Sequence, residues 1–176
     1  VTSKKFKVQF ARVGEPSLNM EVLKVLRGLP ERYRAAGLIP SLSTVAPEGS
    51  DDFFEELLRI KEELYPGNFQ LQFSIHSTDD AQRDRIMPIK KWGLAQIADF
   101  GKRFHSGRGR KVTLNFVLAE GYRIAPWKIR ELFPPENFFI KMTPLNPTGK
   151  AASSKLVPAP VKEPDTAREL RRYGFD

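Results

Sequence analysis

The sequence predicts a partial (β/α) barrel, about five parallel strands with helices packed on the outside. Three observations carry that expectation. Five β-rich segments alternate with helical patterns along the chain, which implies βα units and a parallel sheet. Within the segments, apolar and polar residues alternate with a period of two, so one sheet face is apolar and the other polar. A parallel sheet covered on both faces is apolar on both. The polar face therefore reads as the concave, ligand-accessible inside of a curved sheet.

Taken in order, the segment 6–10 (FKVQF) sets Phe6, Val8 and Phe10 against Lys7 and Gln9. Helical patterns follow at 20–28 and 30–36, with Pro30 as the break between them. The second strand is 38–44 (LIPSLST). Helix 51–64 then carries Phe54, Leu57, Leu58, Lys61 and Leu64 on one stripe, with Ser50 or Asp51 as its N-cap. The third strand, 69–76 (FQLQFSIH), opposes Phe69, Leu71, Phe73 and Ile75 to Gln70, Gln72, Ser74 and His76, and runs into a charged helix. Helix 92–105 is followed by strand 111–118, helix 126–133, strand 138–143 and helix 165–173. Trp92 and Trp127 fall in helical patterns and read as packing residues. The stretch 144–164, rich in Pro, Ala, Ser and Lys, reads as an extended connection. A barrel over 1–150 and a linker with a short helix over 151–176 follow from this division.

At 176 residues, 40% hydrophobic and 28% charged, the chain suits one globular domain. No apolar run approaches the roughly 18 residues of a membrane span, no signal peptide is visible, and a cytoplasmic location is expected. The chain has no cysteine, which excludes disulfides and thiolate metal ligands from the chain as given. A net charge of +8 favours a polyanionic partner, of which nucleic acid is the usual one. The basic stretch KRFHSGRGRK (102–111) precedes a strand, so it lies opposite the strand exits and reads as a solvated loop with an inert His105. Asp79, Asp80 and Asp84 read as helix-capping and dipole-complementing acids, with no metal expected. The start, VTSKKFKVQF, lacks an initiator methionine and reads as cut from a longer protein. Its first strand would then be an exposed edge, expected to pair with another chain or to be covered by a terminal segment.

Working residues of such barrels gather in the loops after the strands. Here those exits are VGEPSLN (13–19), STVAP (43–47), SIHSTDD (74–80), LAEGY (118–122) and TPLNP (143–147). Glu15, Ser43, His76 and Asn146, distant in sequence, are expected to converge there.

The motifs GEPSLN, STVAP, FSIHSTDDAQRDRIMPIKK, KVTLNFVLAEG and TPLNP occur in the order and about the spacing of the radical S-adenosylmethionine enzymes. The chain resembles most the RNA adenine-C2 methyltransferases of the RlmN and Cfr type. The resemblance covers nearly all of residues 5–150, and the 74–91 block is its most specific part. It implies a truncated (β/α)6 barrel and two cofactors, S-adenosylmethionine and, in the full-length parent, a 4Fe-4S cluster. It assigns the amino end of S-adenosylmethionine to Gly14 and Glu15, and the rest to Ser43, Ser74, Ile75, His76 and Asn146. Arg83, Lys90 and Lys91 would suit phosphates of an RNA substrate. The resemblance also implies a reductant protein for the parent.

The family needs a three-cysteine loop for its cluster and a further cysteine near the C-terminus. This chain has neither, so both elements are expected beyond the present ends, and no catalytic residue is assigned within the chain. AEGYRIAPW stands where the family commonly has a G-V-N-D turn, a departure from the family pattern. Three readings stay open: an RNA methyltransferase fragment, inactive alone; a radical enzyme acting on a peptide or small molecule; and a non-catalytic RNA-binding module.

Overall fold

The computed structural model describes residues 5–33, 35, 37–105, 107–145, 157–158 and 165–176. Five parallel strands form one sheet in chain order: β1 (Phe6–Phe10), β2 (Leu38–Thr44), β3 (Gln70–Ser74), β4 (Val112–Leu118) and β5 (Phe138–Pro144). The helices are α1 (Glu21–Arg32), α2 (Asp51–Leu64), α3 (Asp80–Ile86), α4 (Leu94–Phe104), α5 (Pro126–Leu132) and α6 (Asp165–Arg172). Each crossover steps to the adjacent strand, and crossovers of one hand put their helices on one side of the sheet. The other side is left open.

Register shows how the sequence pattern becomes two unlike faces. On the helix-covered side, Leu42, Leu71, Phe73, Leu114, Phe116 and Phe138 pack against Phe53, Phe54, Leu57, Phe100 and Phe104 in one core. On the open side, Gln9, Ser41 and Gln70 lie in one row, Ser43, Gln72 and Thr113 in the next, and Ser74, Asn115 and Lys141 in a third. Lys7 on β1 and Lys141 on β5 belong to opposite edges, and burial, then the charges of Lys141 and Arg110, lower the Lys7 ammonium pKa.

Two expectations about helix ends are corrected. Pro30 does not split α1, which runs through it. Proline has no N–H for the carbonyl of Leu26 one turn earlier; the buried hydroxyl of Tyr65 donates to that carbonyl instead. Burial pushes the Tyr65 hydroxyl up to about 12, which keeps it a donor. Ser50 occupies the N-cap position of α2, but its side chain makes no capping bond, because its hydroxyl donates to the Pro47 carbonyl at 2.6 Å.

The C-terminal helix α6 joins the same core through Leu170, with Phe175 just beyond it, and Asp176 pairs with Lys111 at 2.7 Å. Most of the connection before it, including 146–156 and 159–164, lies outside the described residues. Residues 157 and 158 pass the β4 exit, where Glu120 N–H donates to the Val157 carbonyl at 2.9 Å. No helix among the described residues is long and apolar enough to cross a membrane.

Candidate functional site

The parallel sheet brings the exits of its strands to one rim, and a carboxylate ties two of them together. Glu15 ends the β1 exit loop and caps the 3-10 turn Pro16–Leu18. Its Oε1 accepts from Ser17 N (3.1 Å), Ser17 Oγ (2.8 Å) and Thr44 Oγ1 (2.6 Å), and its Oε2 from Val45 N (2.9 Å). A carboxylate offers about four acceptor positions, two on each oxygen. Oε1 is saturated, and Oε2 keeps room for one more donor. The sequence reading did not anticipate this clamp, since Thr44 lies on the same face of β2 as Leu38 and Leu42 by period two. Thr44 also accepts from Ala46 N at 2.8 Å, which holds Ala46 in a left-handed turn with φ of 52°. Gly14, just before the clamp, has φ of 84°, a conformation that favours glycine.

Along the open face the hydroxyls follow the pleat. Ser43 accepts from Gln72 Nε2 at 3.3 Å, and Ser74 stands opposite Asn115, whose Oδ1 accepts from Thr143 at 3.3 Å. Gln72, Asn115 and Thr143 are polar members of this surface that exit motifs alone did not single out. The alternation that places Ser43 also places them.

His76 is positioned by a different device. β3 ends at Ser74, so the pleat no longer sets the direction of His76. The backbone there is left-handed, with φ of 64°, a conformation that costs a residue with a Cβ roughly 1–2 kcal/mol. Two hydrogen bonds hold it. Ile75 N and His76 N both donate to the Asn115 carbonyl, at 2.9 and 3.2 Å. The His76 ring is largely buried, and its Nδ1 has no hydrogen-bond partner. Burial, with the Arg83 charge behind it, lowers the ring pKa to about 4, so the imidazole is neutral near pH 7. The Ile75 side chain is fully buried in the core, and Ser77 N donates to its carbonyl at 2.8 Å.

Of the expected cofactor residues, Glu15, Ser43, Ser74 and His76 are thus gathered on the exits of three neighbouring strands, with Gly14 beside the clamp. Asn146 lies outside the described residues. The expected RNA-facing cations divide. Lys90 is 89% exposed, but the side chains of Arg83 and Lys91 are only 3% exposed. Arg83 donates to the Trp92 carbonyl at 3.1 Å, and Lys91 to Asp84 at 2.6 Å and to the Met87 and Ile89 carbonyls at 3.0 and 3.1 Å. Both hold the α3–α4 connection and are not presented to a polyanion. Trp92 is buried as expected, whereas Trp127 is 55% exposed, which corrects its reading as a packing residue.

Known proteins resemble the chain in sequence and in fold. A probable dual-specificity RNA methyltransferase RlmN from Thermus thermophilus is 30% identical over 171 residues, 92% of this chain and 45% of the relative. The chain is similar in sequence to RNA methyltransferases named RlmN. The RlmN from Thermobifida fusca is 25% identical over 173 residues, 95% of this chain and 46% of that protein. A radical SAM methyltransferase from Sphaerobacter thermophilus, known as a crystal structure, superposes with a TM-score of 0.74 over 96% of this chain and 49% of that one. At 22% identity that likeness establishes the fold. The chain spans a little under half the length of these RlmN relatives. No family model matches it.

Proposed function

We propose that this chain is the S-adenosylmethionine-binding part of a radical enzyme that methylates adenine C2 in ribosomal or transfer RNA. The observation that carries the proposal is the clamped Glu15, whose Oε2 retains one acceptor position on the rim of the open face. A carboxylate held this way suits the cofactor's ammonium, because charge-assisted hydrogen bonds are the strong ones and the orientation is set beforehand. Gly14, without a side chain, leaves the approach clear. Ser43 and Ser74 supply hydroxyls to the cofactor's carboxylate and ribose. The unpaired, neutral His76 Nδ1 supports a ligand at the same rim, since a buried polar nitrogen without a partner is costly. Asn146 is assigned to the same cofactor by the family resemblance. When bound, S-adenosylmethionine supplies the methyl group and, on reductive cleavage, the 5′-deoxyadenosyl radical.

The residues present do not fit a 4Fe-4S cluster. The chain has no cysteine, and the described residues contain no group of three or more His, Asp and Glu that could hold a metal ion. The cluster's thiolates therefore have to come from outside these 176 residues, and the chain by itself is expected to bind the cofactor without cleaving it. Of the three cations expected from the sequence, Lys90 is the exposed one, 3.9 Å from Glu48, and is the one of the three left to meet RNA phosphate. A reductant protein is the further partner this activity requires. The exposed edge of β1 remains the surface expected to self-associate when nothing covers it.

The test is anaerobic reconstitution of the whole gene product with iron and sulfide, followed by mass spectrometry of treated RNA. 2-Methyladenosine dependent on S-adenosylmethionine is expected. Cofactor cleavage without RNA methylation would move the assignment to a peptide or small-molecule substrate, and cofactor-independent RNA binding alone would leave a non-catalytic module.

A further inference from the structure

Some exposed cations of this molecule are paired with acids, Arg27 with Glu56 and Glu63, Arg59 with Glu56, and Arg103 with Glu55. Others, among them Arg32, Arg85 and two that flank the start of α5, are not paired with an acid among the described residues. Arg123 and Arg130 form no ion pair with a carboxylate among the described residues. Between them in sequence stands Trp127, 55% exposed at the start of α5. Residues three apart on a helix share a face, which puts Arg130 beside the indole.

The support beneath this tryptophan is rigid. The Arg123 carbonyl accepts from Thr78 N (2.9 Å) and Ser77 Oγ (2.8 Å), and Arg123 N donates to Gln82 Oε1 at 2.7 Å. Gln82 Nε2 donates to the Gly121 carbonyl at 2.8 Å, and Ala125 N to Thr78 Oγ1 at 2.9 Å. Lys128 Nζ completes the set by donating to the Thr78 carbonyl at 2.8 Å. The loop that presents Trp127 is therefore fastened to the exit loop that carries His76, one to two residues beyond that histidine.

An exposed indole in the first turn of a helix fastened by the preceding loop, with an unpaired guanidinium three residues along the helix and another on that loop, is suited to stack on unpaired nucleobases. Such stacking tolerates any base because every base has a π-face, while neighbouring cations hold the backbone. We propose that Trp127, with Arg123 and Arg130 as phosphate contacts, stacks on an unpaired RNA base that flanks the modified nucleotide. This deepens the RNA-methyltransferase reading and rests on it. Pro126 fixes the first turn of α5 and Ile129 anchors its underside in the core, so the indole is held in place before the base arrives.

The two tryptophans make the experiment direct, because Trp92 is buried and Trp127 is exposed. Titrating the 176-residue chain with an adenine-rich single-stranded RNA decamer is expected to quench the red-shifted part of the emission and leave the blue-shifted part. Trp127→Ala is expected to weaken binding, followed by anisotropy of a labelled decamer, by roughly 5- to 100-fold, the range for one stacked base. Trp127→Phe, which keeps an aromatic face, should recover most of it. Equal affinity in Trp127→Ala, equal quenching by a fully paired hairpin, or quenching by an acidic peptide in place of RNA would overturn the proposal. Cofactor binding is read separately by equilibrium dialysis. RNA quenching that persists when S-adenosylmethionine fails to bind counts against the cofactor assignment alone, and loss of quenching with cofactor binding intact counts against the platform.

Discussion

Glu15 is both a structural and a candidate ligand residue, because its four donors fix the β1 exit over β2 and leave one direction unused. Thr44 is the hinge of that arrangement, donating to Glu15 and accepting from Ala46. Thr44→Val removes both bonds at nearly constant shape and is predicted to cost about 1–3 kcal/mol in urea denaturation, the range for leaving buried partners unsatisfied. S-adenosylmethionine affinity should fall with it, while Ser43→Ala should leave stability nearly unchanged. His76 makes a pH prediction. Its folded pKa is about 4, against roughly 6.5 when unfolded. As pH falls, the unfolded chain takes up this proton first, so the ring's contribution to stability is complete above about 6.5 and is lost toward 4. In a His105→Gln background, His76→Asn, which tolerates the left-handed backbone, should flatten the decline in thermal stability across that window. An unchanged decline would contradict the burial of the ring.

At the scale of elements, Pro30 and Tyr65 show how one helix depends on a residue beyond the next. Tyr65→Phe removes the donor to the Leu26 carbonyl and is predicted to cost about 1–3 kcal/mol by chemical denaturation. In a Pro30→Ala background the helix regains its own N–H donor, and the same substitution should cost measurably less; additive effects would show that the two are not coupled. Gly101 on α4 has a different role. A Cβ there would lie 2.4 Å from the Phe138 ring, so Gly101→Ala should destabilise by roughly 1–3 kcal/mol through overpacking, despite alanine's better helix propensity. Most element positions were legible because the strand segments are β-rich, β1 and β3 with clear alternation, and each long helix keeps its stripe. Pro30 misled because a local rule assumes that water, and not a distant tyrosine, meets the freed carbonyl. Trp127 misled because the short α5 buries Pro126 and Ile129 while turning position 127 outward, which a helical pattern alone does not distinguish.

For the whole molecule, the polar face was readable from alternation, and the described parts of the exits named from sequence lie at the same end of the parallel sheet. What sequence could not give was the clamp at Thr44, the left-handed turn at His76 and the burial of Arg83 and Lys91. Each depends on contacts between separate exits, and period-two reasoning stops where the strand stops. The charge of +8 is likewise unevenly used, with Arg27 and Arg103 paired to acids and Arg123 and Arg130 near the β4 exit without an ion pair among the described residues. The central claim is that the rim of β1, β2 and β3 holds S-adenosylmethionine through Glu15. Equilibrium dialysis of the cofactor against the folded chain and its Glu15→Gln variant tests it most directly. Saturable binding that weakens roughly 10- to 100-fold in the variant is predicted, the range for a lost charge-assisted hydrogen bond; no binding, or equal affinity in a variant with native circular dichroism, would contradict it.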